Sequence, residues 1–136
     1  MPTNNEPVKA IYGILSATAA VTALVSTRIY PNNVPQDVAL PFLAYTITAV
    51  EPTMTKDVKS PLDVIRFSVD CYSINYDTTM QIANAVRAAL DGYKNTINSQ
   101  NVQRITYDGQ SDGEFEPTLG VYWQSMDFMM RLKRER

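Results

Sequence analysis

Apolar positions recur along this chain at two spacings, and the switches between them predict its elements. Val8, Ile11, Leu15 and Ala19 follow at helical spacing behind Pro7, a residue tolerated in a first helical turn, with Asn5 and Glu6 available as caps. Residues 7 to about 24 therefore read as one helix or two short ones, with Ser16 able to cap a second piece carrying Val21 and Leu24. From Pro41 the period becomes two: Leu43, Tyr45, Ile47 and Ala49 predict a strand with one buried face. The clearest strand follows, with Ile65, Phe67, Val69 and Cys71 alternating against Arg66, Ser68 and Asp70. Asn75 or Asp77 suits the cap of a helix whose stripe is Thr79, Ile82, Ala83, Val86, Ala89 and Leu90, and Gly92 suits its stop. Val102 to Tyr107, rich in β-branched and aromatic residues, reads as a third strand.

The segments between are polar. Residues 51–62 (EPTMTKDVKSPL) hold two prolines and read as an exposed loop, and 108–117 (DGQSDGEFEP) reads as an acidic turn. The last strand, 119 to about 132, carries two apolar sets of opposite parity: Met126, Phe128, Met130 and Leu132 against Val121 and Trp123. Either a bulge shifts its register, or one set faces something other than the core. The expected order is α-β-β-α-β-β, an α+β fold with an antiparallel sheet of about four strands and two main helices packed on one face. At 136 residues one domain is expected over 1–136, with short disordered termini at 1–5 and 133–136.

The connection RIYPNNVPQDVALPFLAY (28–45) carries Pro31, Pro35 and Pro41. Apolar residues spread through it (Ile29, Tyr30, Val34, Val38, Leu40) argue against a flexible linker, and no PxxP occurs in it. It reads as a stiff strap that carries the chain from the helical layer to the first strand. Each proline fixes its own φ and biases the residue before it to extended geometry, so less chain entropy is lost on folding.

Composition narrows the chemistry. Hydrophobic residues at 45% and charged residues at 19% are ordinary for a folded protein, and a net charge of −2 gives no global attraction to nucleic acid or an anionic membrane. There is no histidine, which removes the usual general base, most catalytic zinc sites and the His-based nucleophilic triads. The single cysteine, Cys71, excludes an internal disulfide and reads as a small core residue. In the acidic segment, Asp108, Gln110, Asp112 and Gly113 fall on a calcium-loop register, but Leu119 stands where a bidentate Glu is needed. No glycine-rich phosphate loop occurs, and carboxylate pairs among Asp108, Asp112, Glu114 and Glu116 lack an aromatic groove for a sugar. No enzyme, cofactor, metal or small-molecule substrate is expected. No signal peptide or membrane-length apolar run is visible, so the chain reads as soluble and intracellular. The basic end, Arg131-Leu-Lys-Arg-Glu-Arg136, has four cations and reads as a solvated terminus, or as contact to an acidic partner or nucleic acid. Trp123 is the residue best suited to anchor an interface.

In order, "ALVSTRIYP", the "LPFLAY" lead into the first strand, and the run from "IRFSVDCYS" to "DTTMQIANAVRAAL" resemble the tail-completion, or tail-terminator, proteins of long-tailed bacteriophages and prophages. The resemblance spans about residues 8 to 132. It implies a structural virion protein without catalytic residues or cofactor. It implies a ring, commonly a hexamer, that caps the head-proximal end of the tail tube, stops tube polymerisation and offers a surface to head-connector (stopper) proteins. Assembly in the host cytoplasm and a place at the virion neck follow from the same likeness, with nucleic acid met only in passage through the ring lumen. Candidate interface residues are Trp123 and Val121; Lys56 and Lys59 in 51–62; Asp108, Asp112, Glu114 and Glu116 in 108–117; and Arg131, Lys133 and Arg134. Another neck or head-closure ring protein is the alternative within the virion, and a small nucleic-acid-binding adaptor the alternative of a different class.

Overall fold

A computed structural model describes residues 7–31, 39–54, 59–97, 100–112 and 120–133. Helices α1 (Pro7–Ala17) and α2 (Ala19–Val25) come first, then strands β1 (Ile29–Pro31), β2 (Phe42–Met54) and β3 (Lys59–Ser73), helix α3 (Tyr76–Leu90), and strands β4 (Asn95–Ile97), β5 (Gln100–Asp112) and β6 (Tyr122–Lys133). The fold is α+β, as expected, but the sheet has six strands, in the order β1-β2-β3-β6-β5-β4, where four were expected. The two additional strands are three-residue edges. Ile29–Pro31 pairs with β2 in parallel, and Asn95–Ile97 pairs antiparallel with β5.

The helical N-terminal segment breaks into two pieces that meet at 84°. Thr18, not Ser16, is the N-cap residue of α2, and its hydroxyl donates to the Ile14 carbonyl at 2.8 Å. The buried residues of α1 are Ala10, Ile11, Gly13, Ile14 and Leu15; Val8 is exposed, and so is Ala19 at the start of α2. In α3 the Asn75 side chain accepts from the Asp77 amide at 2.9 Å, the expected cap. Gly92 follows the helix with φ +79°, a left-handed position that glycine adopts without penalty.

All three helices contribute to one core with one face of the sheet. Val21, Ile82, Val86 and Leu90 meet Leu43, Tyr45, Ile65, Phe67, Val69, Cys71 and the even-numbered apolar residues of β6. Phe67 and Phe128 stack at its centre with ring centroids 5.4 Å apart. Each such fully buried side chain contributes about 1.5–3 kcal/mol of hydrophobic stabilisation. This is why β3 alternates so cleanly: it lies between β2 and β6 and presents Ile65, Phe67, Val69 and Cys71 to the helices.

Two expected loops are strand over much of their length. Residues 51–54 and 59–62 belong to a long β2–β3 hairpin, with Glu51 opposite Val64 and Met54 opposite Lys59. Its two prolines sit at an irregularity of the ladder: the β2–β3 register shifts between Pro52 and Met54, and Pro61 falls between their partners Asp63 and Lys59. Pro52 lies on β2 beyond the part that β1 covers, and Pro61 precedes the start of β6 pairing at Leu62. Likewise β5 runs on to Asp112, so Asp108 and Asp112 are strand residues rather than loop residues. The last strand's two apolar sets are also resolved. β6 pairs with β3 without a register shift from Tyr122 to Lys133, so Trp123 belongs to the face away from the helices.

The strap can be followed at both ends; residues 32–38 lie outside the described ones. Arg28 precedes β1, Leu40–Pro41 is a cis peptide, and β2 begins at Phe42.

Candidate functional site

The face of the sheet opposite the helices is where the sequence's remaining chemistry gathers. Among the described residues no helix packs on it. Alternation in β2, β3 and β6 that sends Leu43, Cys71 and Gln124 inward sends Phe42, Tyr72 and Trp123 outward. Together with Tyr30 of β1 these make an aromatic row across four strands. Tyr30 meets Phe42 edge-on at 6.2 Å, Phe42 stacks on Tyr72 at 4.7 Å, and Tyr72 stacks on Trp123 at 5.8 Å. The rings are only half-buried. Just past the end of β3, Ile74 is 68% exposed. A contiguous apolar surface of this kind marks a docking site far more often than a single exposed side chain does.

The next row is acidic. Asp70 stands opposite Ser125, and Asp127 opposite Ser68 one step further along the same face. Burial and then the Asp127 charge push the Asp70 carboxyl above its ordinary value, while a hydrogen bond from Ser125 pulls the other way. Asp70 Oδ1 is buried with no hydrogen-bond partner. At the other end of the sheet the face is basic. Arg131 of β6 lies directly opposite Arg104 of β5, and both are exposed. Between the two ends, a bulge in β5 places Asp108 near Arg66, with a 3.9 Å ion pair. Both partners are about half exposed (43% and 53%), so this pair contributes about 0–1 kcal/mol.

The expected interface residues scatter across this arrangement. Trp123 sits in the aromatic row and Arg131 in the basic pair. Val121, just before β6, is buried at 8% exposure. Asp112 ends β5 opposite Gln124, Lys59 opens β3, and Lys133 ends β6 opposite Leu62 and Asn101. Lys56, Glu114, Glu116 and Arg134 lie outside the described residues. Sequence reasoning missed Tyr30, Phe42, Tyr72, Asp70, Asp127 and Arg104. The available signal was parity with Trp123, which becomes usable only once the strand pairing is known.

Nothing in the described residues resembles a reaction centre. No group of three or more His, Cys, Asp or Glu is placed to hold a metal ion. Cys71 is buried, and burial together with the neighbouring Asp70 charge pushes its thiol far above the ordinary range.

The profile of a family described as "Tail completion protein gp17" matches residues 9–133. The chain belongs to that family. Membership makes it a structural tail protein of the phage virion, in agreement with the resemblance read from the sequence and with a non-enzymatic role. No curated protein sequence matches the chain. A chain from a structure titled "Virion of native gene transfer agent (GTA) particle" has the same fold, with a TM-score of 0.75 and 19% identity over 90% of this chain and 91% of that one. No single described helix of this family member is long and apolar enough to cross a membrane.

Proposed function

We propose that this tail completion protein acts as the tail terminator: it closes into a ring on the head-proximal end of the tail tube, stops tube growth and presents a surface to the head-connector proteins. The observation that supports this best is the uncovered sheet face, which carries two unlike patches in a chain of the tail completion family. A subunit that closes a ring needs a heterologous contact, with a different patch offered to each neighbour. In this reading the surfaces at the two ends of the ring, not a catalytic pocket, are what the partners meet. The tube's last layer of subunits lies on one side and the connector on the other, and nucleic acid passes only through the lumen. The virion neck is its place.

The experiment is tube assembly in vitro. Tail-tube protein polymerised without this chain is expected to give tubes of unbounded length, and adding the chain is expected to halt growth at one end. Tubes that keep growing from both ends with the chain present would contradict termination.

A further inference from the structure

The two charge patches on the uncovered face are each uncompensated within the described chain. Arg104 and Arg131 are direct cross-strand partners, and neither forms an ion pair with a described residue. Like charges directly opposite on a sheet destabilise it, so an exposed pair of arginines is unfavourable until something outside the chain neutralises it. The described acid in the same row, Glu51, lies two strands away on β2, opposite Val64. The acidic patch mirrors this. Asp70 and Asp127 lie diagonally on β3 and β6, with Ala44 and Ser125 opposite the first and Ser68 and Gly109 opposite the second, none of them a cation, and Asp70 has a buried oxygen without a donor.

The acidic patch adjoins the stacked rings of Tyr72 and Trp123. Stacked rings beside carboxylates make a receptor for guanidinium: the planar cation lies over a ring face while its N–H fork reaches the carboxylate. The chain already uses this chemistry internally. The Arg87 guanidinium carbon lies 3.9 Å from the centre of the Tyr107 ring, and its Nε is 4.0 Å from an Asp91 carboxylate oxygen.

We propose that Tyr72, Trp123, Asp70 and Asp127 of one subunit receive Arg104 and Arg131 of the next copy. The assignment rests on the ring reading above and names the contact that closes the ring. Charge complementarity selects the occupant, since other copies of this chain carry the opposite sign that each patch needs. Each subunit gives its arginines to one neighbour and its ring-and-carboxylate patch to the other. Because Arg104, Arg131 and Asp127 are exposed before contact, association is expected to weaken as salt rises.

A charge swap tests it. The D70N/D127R variant reverses the receiving patch, and R104E/R131E reverses the donated one. Each is expected to melt cooperatively as a folded monomer and, by mass photometry with and without purified tails, to self-associate on the order of tenfold more weakly or worse. An equimolar mixture is expected to restore closed assemblies with the two variants alternating. Wild-type self-association by either variant alone, or a mixture of two folded variants that stays monomeric, would overturn the assignment. If a variant fails to fold, a salt titration of the wild type decides instead, and salt-insensitive assembly overturns it. Should the wild type itself never close, alone or on tails, the ring reading falls and this contact with it. Should wild type and both variants all close, only this contact falls.

Discussion

Arg28 Nε donates to the Pro41 carbonyl at 2.8 Å, and the Arg28 carbonyl accepts from the Leu43 amide at 2.9 Å. One residue thereby fixes both ends of the proline-rich connection, so β1 and β2 lie parallel beside each other. Prolines shorten the list of conformations the connection can adopt, and the arginine selects among them. Arg28→Met is expected to lower the unfolding free energy by about 1.5–3 kcal/mol, the range for a hydrogen bond involving a charged group, with helix and strand content unchanged. Urea denaturation followed by circular dichroism measures it. An unchanged midpoint would mean the clamp contributes nothing.

Phe128 and Trp123 lie on the same strand but face opposite ways, and their truncations separate core from surface. Phe128 is 1% exposed and stacked on Phe67, so Phe128→Ala is expected to cost about 3–5 kcal/mol. Trp123 is half-buried with its stack on Tyr72, so Trp123→Ala is expected to cost only about 1–2 kcal/mol and to leave a folded monomer. Thermal melts of the two variants side by side check the contrast. Equal losses would place Trp123 in the core.

The ends of α3 depend on different physics. Asn75→Ala removes the acceptor for the Asp77 amide and is expected to cost about 1 kcal/mol. At Gly92 an added Cβ meets nothing within 4 Å, so Gly92→Ala carries only the backbone cost of φ +79°, about 1–2 kcal/mol. The sites share no partner, so the double variant is expected to show the sum of the single losses in urea denaturation.

How much of this was legible depended on whether a face was buried. β3 announces itself because Ile65, Phe67, Val69 and Cys71 all meet helices, and periodicity records burial. Beyond the helical layer the signal fades. Val50 stands opposite Ile65 yet is 53% exposed, so the strand continues through Glu51 and Pro52 with no apolar period to reveal it. β1 and β4 were invisible for a different reason, since three residues cannot display a period of two. In the candidate site, Trp123 was readable as a residue of the wrong parity for the core. Its neighbours Phe42, Tyr72 and Asp70 were not, because cross-strand adjacency is set by register.

Asp70 gives the fold a pH dependence of unusual sign. Its carboxyl is raised in the folded state by burial and by the Asp127 charge, so the folded chain binds this proton more tightly than the unfolded chain. Its effect on stability is therefore unfavourable above the folded value. As pH falls through that value toward the ordinary carboxylate range, the penalty is relieved. Asp70→Asn is expected to stabilise the monomer at neutral pH, with the gain shrinking as pH falls into that range. Unfolding midpoints across acid to neutral pH check this, and a gain that does not depend on pH would contradict it.

The ring is the central claim, and direct imaging reaches it most simply. The purified chain, labelled and mixed with tails that lack it, is expected in negative stain as a closed ring at one end of each tail, the end that joins the head. A chain that stays monomeric by mass photometry and never associates with tail ends would contradict the account.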